Sequence, residues 1–184
     1  MKDHMDIGLP EKLELHEHPD YIHITRKWFG SQIVFLTAFA ILWNVFLVNF
    51  YAGMDENTDI LTMLFPLFHV VAGVCITYYV IAGWLNKSNI FLSKHTIEIN
   101  HKPIPWFGNT KFKSTDLKQL YAKEKITNNR NGTKTTYEVH AILKNKKNIK
   151  LLSGLESSEQ ALFIEQEIEN FLQIENTPVR GEVG

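Results

Sequence analysis

The sequence predicts an α+β membrane protein: a transmembrane helical hairpin joined to an antiparallel β domain that ends in an amphipathic helix. Three observations lead to this prediction, namely two long stretches without a charged residue, a basic segment of short alternating strands, and an acidic segment with helical periodicity. The 184 residues are 45% hydrophobic, which is enough to build a core and excludes wholly disordered and collagen-like chains. The single Cys excludes an intramolecular disulfide and a Cys-rich zinc site.

The first 27 residues form an acidic start followed by two strand candidates. Residues 12–16 and 21–25 flank Pro19 and Asp20, which favour a turn. We therefore expect a cytoplasmic hairpin over residues 1–27. Its two strands could join the sheet of the β domain. The acidic start is not followed at once by an apolar run, so we expect neither a secretory signal nor a transit peptide.

Two apolar stretches predict the transmembrane helices, over residues 28–51 and 60–86. Neither contains Asp, Glu, Lys or Arg, and each exceeds the roughly 20 residues that span the hydrocarbon core. Trp28, Tyr51 and Trp84 stand near their ends, as an interfacial aromatic belt requires. Two buried helices of a soluble core are the alternative, but too little sequence remains to cover both on all sides. Cys75 is then an intramembrane filler.

The charges that flank the two stretches predict their orientation. Basic residues lie before the first stretch and after the second, while the acidic turn over residues 52–59 contains no Lys or Arg. The positive-inside rule then places both termini in the cytoplasm. The residues expected to contact the membrane surface are Arg26, Lys27, Lys87 and Lys94.

Residues 87–176 combine a basic β segment with an acidic helix that follows it. From Lys87 to Lys150 there are 14 Lys and Arg against four Asp and Glu, so the formal net charge of −1 is a cancellation. Strands are expected at residues 89–93, 96–101, 117–126, 135–143 and 149–152, with a loop around Trp106-Phe107, a turn at residues 128–132 and a break at Gly154.

A helix is expected to begin at Ser157, which forms a capping box with Gln160. Ala161, Ile164 and Ile168 follow at helical spacing and indicate one apolar stripe. Pro178 prevents any extension, and we expect residues 177–184 to form a flexible tail.

Several short antiparallel strands followed by one amphipathic helix are typical of a pleckstrin-homology (PH)-like domain. The whole chain resembles small, uncharacterised bacterial membrane proteins that have a two-helix transmembrane hairpin and a cytoplasmic PH-like domain. The residues that carry the resemblance are Ile24–Phe29, Trp43-Asn44, Trp84–Ser88, Pro105–Asn109 and the Glu-rich last helix. The resemblance implies a fold and a location, and it provides no catalytic residue.

Three polar side chains inside the spans are candidate contacts: Asn44, Asn49 and His69. Polar groups in a membrane are candidates for function, but they also hold helices together by hydrogen bonds. We favour packing, with Asn44 and Asn49 bonding to His69 or to a neighbour. Haem ligation by His69 is the alternative, and it requires a dimer because each chain has one such His.

His16, His18 and His23 near the N-terminus invite a metal-site interpretation. His16 and His18 share one face of a strand, as ligands must. No set of four ligands with recognisable spacing accompanies them, so we expect ordinary surface residues, no metal and no other cofactor.

Three function classes stay open. The chain has no nucleophile elbow, phosphate-binding glycine loop or zinc-protease motif, so we expect a non-catalytic accessory or scaffold subunit that docks a larger membrane complex or a second copy. The alternatives are a sensor of anionic lipids or signals, favoured by the basic β segment, and a haem- or metal-binding redox subunit. Membrane lipids are expected partners. Nucleic acid is not, because Trp106, Phe107 and Tyr121 lack a stacking-platform motif.

Overall fold

The computed structural model describes residues 8–55, 58–129 and 132–183. The chain divides into two compact units. The helical unit comprises residues 28–86, and the β unit comprises residues 1–27 together with residues 87–184. The helical unit is thus an insertion within the sequence of the β unit.

The helical unit contains α1 (Ser31–Ala52), α2 (Ile60–Leu64) and α3 (Leu67–Leu85). The apolar stretches Ser31–Ala52 and Ile60–Leu85, with mean hydropathies of 2.2 and 2.1, are long and apolar enough to cross a membrane. The second stretch was expected to be one continuous helix, but it is interrupted at Phe65-Pro66. Pro66 causes the interruption because its nitrogen carries no hydrogen to donate to the preceding turn. The predicted outer turn lies partly outside the described residues, at positions 56–57.

Five antiparallel strands form the first sheet, in the order β1-β2-β3-β4-β5. Their bounds are β1 Leu13–His18, β2 Tyr21–Lys27, β3 Lys87–Ser93, β4 Thr96–Lys102 and β5 Thr110–Lys113. The N-terminal hairpin therefore joins the sheet of the β unit, as the sequence suggested. Its second strand, β2, pairs directly with β3, although the whole helical unit separates them in sequence.

The second sheet has three antiparallel strands: β6 (Leu117–Asn129), β7 (Gly132–Leu143) and β8 (Asn148–Leu155). The β6–β7 hairpin is confirmed up to the pair Asn129 and Gly132, and positions 130–131 of the predicted turn lie outside the described residues. Gly154 was expected to end β8, but the strand continues to Leu155. The register shifts here, and Gly154 has a φ of +69°. It thus provides the left-handed residue of a bulge instead of a strand end.

The last helix, α4 (Ser158–Leu172), completes the core of the β unit. Ser157 accepts a hydrogen bond from the backbone N–H of Gln160, which confirms the predicted N-cap. The Gln160 side chain accepts the N–H of Glu156 instead of that of Ser157, so the bond that would complete a capping box is shifted by one residue. The predicted apolar stripe is buried in one cluster with residues of both sheets, including Ile24, Ile90, Ile99, Leu120, Val139, Ala161, Ile164 and Ile168. An α+β fold with two antiparallel sheets, a C-terminal amphipathic helix and two long apolar helices is therefore present.

The C-terminal residues and the last helix both contact the edge of β6. Residues 177–184, of which position 184 lies outside the described residues, were expected to form a flexible tail. Thr177 nevertheless donates to the side chain of Gln119, and the Val183 N–H donates to the carbonyl of Ala122. Glu165 of the acidic helix is 1% exposed and accepts the Ala122 N–H at 2.6 Å. An edge strand has backbone groups that need partners, and the helix and tail supply them here.

Candidate membrane-surface site

Three lysines lie side by side at one end of the five-stranded sheet. Lys27 on β2 pairs in register with Lys87 on β3, and Lys87 pairs in turn with Lys102 on β4. All three are exposed, and we call them the lysine row. Like charges directly opposite each other destabilise a sheet, so the lysine row offers a site for negatively charged groups.

The chain places the lysine row next to the apolar segments. Lys27 immediately precedes residue 28 of the helical unit, and Lys87 immediately follows residue 86. Lys27 also forms an ion pair with Glu14, which lowers the pKa of that carboxyl through the lysine hydrogen bond and charge. Lys87 and Lys102 have no ion pair with a carboxylate among the described residues. Within the lysine row, they are therefore the two cations most available to an external anion.

Arg26 was expected to contact the membrane surface, but the structure turns it inward. Its side chain alternates with Lys27 along β2, so it points to the opposite face of the sheet. Arg26 is 8% exposed and donates to the carbonyl oxygens of Ser153 and Gly154 on β8. Burial lowers its pKa, although Arg stays charged at neutral pH. The guanidinium joins the two sheets and is not available to lipid headgroups.

Lys94 is exposed but lies apart from the lysine row. It occupies the turn between β3 and β4, at the far end of β3 from Lys87. Seven strand residues at about 3.3 Å each separate the two lysines by roughly 20 Å. Of the four predicted surface residues, only Lys27 and Lys87 lie together, and sequence reasoning missed Lys102 because its pairing depends on the register of β4.

A row of three polar residues lies behind the lysine row on the inner face of the sheet, and its members Arg26 and Ser88 are buried while His101 is half-buried. Arg26 pairs in register with Ser88, and Ser88 with His101. The Ser88 hydroxyl and His101 Nδ1 are 2.9 Å apart. Burial, followed by the charge of Arg26, lowers the pKa of His101. This end of the sheet therefore carries polar groups on its inner face as well as on its outer face.

The loop between β4 and β5 begins beside the lysine row. Residues 103–109 form the predicted loop around Trp106 and Phe107, and it follows Lys102 directly. The backbone N–H of His101 donates to the side chain of Asn109 at 2.8 Å, which ties the end of the loop to β4. Phe107 is 91% exposed. The sequence gives the loop's apolar composition, but only the structure shows Phe107 in solvent.

The polar residues of the helical unit have different roles. Asn44 on α1 donates to the hydroxyl of Thr77 on α3 at 3.0 Å, as expected of a packing contact. Asn49 is exposed and donates to Val45 of its own helix. The His69 ring stacks on Trp43 with centroids 5.7 Å apart, while its Nδ1 is buried without a hydrogen-bond partner among the described residues. Neither asparagine has a described hydrogen bond to His69.

The N-terminal histidines belong to an aromatic patch on the outer face of the five-stranded sheet. The His18 ring stacks on Tyr21 at 4.7 Å, and Tyr21 lies 5.1 Å from Phe91. His16 and His23 are paired across the strands, and His23 also contacts the side-chain oxygen of Asn89. Within the described ranges, no group of three or more His, Cys, Asp or Glu side chains is arranged to hold a metal ion.

No protein-family model matches this sequence, and no curated protein matches it significantly. The resemblance to two-helix membrane proteins with PH-like domains therefore stays a prediction. Geometry alone identifies two exposed features of the β unit, the lysine row and the aromatic patch.

Proposed function

We propose that this protein is a non-catalytic integral membrane subunit whose PH-like β unit docks another protein at the cytoplasmic surface of the bacterial inner membrane. The observation that carries the proposal is the exposed aromatic patch (His16, His18, Tyr21, His23 and Phe91) on a sheet that is joined to apolar helices through two neighbouring strands. Both termini are cytoplasmic in this arrangement.

The helical unit supports the membrane assignment. Most of its large apolar side chains are exposed, including Phe35, Leu42 and Phe68. Exposed apolar surface of this extent is unfavourable in water and is expected to be covered by lipid or by a partner protein. Because β2 and β3 both connect to this unit, the β unit is attached at two adjacent points instead of through one flexible linker.

The aromatic patch supports docking. Tyr and Phe are enriched at protein interfaces because they bury a large area and lose little conformational entropy. Tyr21 and Phe91 are 37% and 40% exposed and stand on strands, which hold them in place. A hydrogen-bonded sheet offers a preorganised surface, and this reduces the entropic cost of binding. A two-sheet domain with a C-terminal helix also agrees with the outline of a PH-like domain.

Affinity purification of the full chain in mild detergent tests the proposal. We expect a defined partner to co-purify with the wild type and to be lost with Tyr21→Ser/Phe91→Ser. Ile126→Ser is the matched control, because Ile126 is an exposed apolar strand residue outside the patch. Equal recovery with all three proteins, or a bare monomer in each case, would contradict docking through the patch.

A second candidate function, sensing of anionic lipid, is favoured by the lysine row. Each Lys near an anionic leaflet contributes about 1 kcal/mol of attraction. Lysine acetylation in nanodiscs, followed by mass spectrometry, tests it, with Lys94 as the control at the far end of β3. Anionic lipid should slow modification of Lys87 and Lys102 relative to Lys94, and high salt should reverse this. Equal rates in neutral and anionic nanodiscs would exclude the lipid contact.

A further inference from the structure

We propose that the loop between β4 and β5 inserts Phe107, with Trp106 beside it, into the interfacial region of the membrane. We call residues 103–109 the anchor loop. The proposal rests on the membrane assignment of the helical unit and adds a second, non-covalent attachment of the β unit to the bilayer. The contacted partner is phospholipid.

The register of the sheet determines where the anchor loop starts. Lys102, the last residue of β4, is the direct partner of Lys87, and Lys87 is one peptide bond from the helical unit. Neighbouring strands are about 4.8 Å apart. The first residue of the loop therefore lies close to the point where the chain leaves the β unit for the apolar helices, however the two units are oriented.

The composition of the loop suits a membrane interface. Its tip reads Ile104-Pro105-Trp106-Phe107-Gly108, and residues 103–109 contain no charged side chain. Phe107 is 91% exposed, the largest exposed fraction among the large hydrophobic residues described. Trp is enriched at membrane interfaces because its ring is apolar and its indole N–H is polar. A Phe held almost entirely in water gains free energy by entering an apolar environment.

A hydrogen bond and a glycine with positive φ shape the base of the loop. Asn109 accepts the N–H of His101, which closes the loop onto β4. Gly108 has a φ of +99°, and a Cβ at this position would lie 3.2 Å from Nε2 of His101. A larger residue at Gly108 is thus disfavoured by its backbone and by its neighbour. The fixed base presents the apolar tip without a large ordering cost on insertion.

The lysine row supplies the electrostatic part of the contact. Lys87 and Lys102 flank the start of the loop, and both are exposed. Lysine side chains at a membrane surface contact the phosphates of the lipid headgroups. An apolar loop tip next to them can reach the boundary between the headgroups and the acyl chains.

Fluorescence quenching in lipid vesicles tests the insertion. The full chain with Cys75→Ser/Phe107→Cys is labelled with an environment-sensitive fluorophore and reconstituted with lipids that carry a quencher at shallow or deep positions. The matched control is Cys75→Ser/Ile126→Cys, another exposed apolar site of the β unit. The wild-type protein, labelled at Cys75 of α3, reports whether the helical unit is inserted.

We expect the label at position 107 to show a blue shift and strong quenching by the shallow quencher, while the label at position 126 shows neither. Quenching at Cys75 without quenching at position 107 would overturn the anchor loop but leave the membrane assignment intact. Absence of quenching at Cys75 would overturn both.

A variant without the lysine charges separates the electrostatic part of the membrane contact from the insertion of the apolar tip. Lys87→Gln/Lys102→Gln should reduce quenching at position 107 in anionic vesicles and change it little in neutral ones. An unchanged signal in anionic vesicles would exclude the electrostatic part, and the loop would then be held by its apolar tip alone.

Discussion

The guanidinium of Arg26 on β2 donates a hydrogen bond of 2.5 Å to the carbonyl oxygen of Gly154 on β8, and this contact joins the two sheets of the β unit. The carbonyl belongs to a bulge whose glycine has a positive φ. A second bond reaches the neighbouring carbonyl of Ser153. The buried Arg26 side chain thus provides a polar contact between two sheets that otherwise share a mainly apolar core.

Replacing Arg26 should therefore weaken the β unit. Arg26→Met removes the charged donor from two backbone carbonyls, and we expect the free energy of unfolding to fall by about 3 kcal/mol. Arg26→Lys should not restore it, because an ammonium lacks the planar fork of a guanidinium. Urea unfolding of the full chain in detergent, followed by circular dichroism, measures the change. Lys27→Met is the exposed control, and an equal loss in both variants would contradict the assigned role.

The close approach of Gly83 to Ile33 should limit which substitutions are tolerated where α1 contacts α3. A Cβ at Gly83 would overlap Cδ1 of Ile33 and lie 2.9 Å from Cγ1. We expect Gly83→Ala to cost about 1–3 kcal/mol through overpacking. Titration with SDS in mixed micelles measures the loss of helical structure. Ile33→Ala should rescue the variant, and Gly53→Ala, whose Cβ would meet only ordinary contacts, should have little effect.

The hydrogen bond from Asn44 to Thr77 should couple α1 to α3. In a double-mutant cycle with Asn44→Ala and Thr77→Val we expect a coupling energy of about 0.6 kcal/mol, the usual size of such bonds in membranes. The same SDS titration measures it. Asn49→Ala provides the matched cycle, because Asn49 bonds only within its own helix among the described contacts. Coupling of equal size in both cycles would refute a specific Asn44–Thr77 contribution.

His101 should make the β unit sensitive to acid. Burial and the nearby Arg26 lower its pKa, so the folded state favours the neutral ring, whereas the unfolded chain binds a proton near pH 6.5. The stability from this difference is fully present above about pH 6.5 and is lost as the pH falls toward the lowered folded-state pKa. His101→Asn should flatten the pH dependence of urea unfolding in this window. The exposed His95→Asn should retain the wild-type slope, and an unchanged slope in His101→Asn would disprove the assignment.

Much of the fold follows from local pattern. The apolar stretches, the N-terminal hairpin, the β6–β7 hairpin and the capped helix α4 were predictable because each depends on neighbouring residues. Pro66 was a missed local signal, since proline interrupts the second apolar stretch. The burial of Glu165 could not be predicted from its charge. It depends on a hydrogen bond from the backbone N–H of Ala122, which lies on the edge strand β6.

The candidate site was only partly predictable. Lys27 and Lys87 were recognised because they flank the apolar stretches, and Asn44 because a polar residue inside such a stretch needs a partner. Arg26 was expected at the surface but lies inside, because a one-residue step along a strand reverses the face. Lys94 lies apart from Lys87, because the length of β3 separates them. Lys102 and the exposure of Phe107 depend on how β4 pairs with β3.

The sequence by itself determined the two apolar helices and the mixture of strands with a final amphipathic helix, because length, periodicity and the absence of charge are properties of consecutive residues. Only the tertiary structure decided that β2 and β3 pair across the inserted helical unit, that Arg26 points inward while Lys27 points outward, and that the loop with Phe107 starts beside Lys87. These relationships arise from register and long-range pairing, which bring together residues that are far apart in the chain.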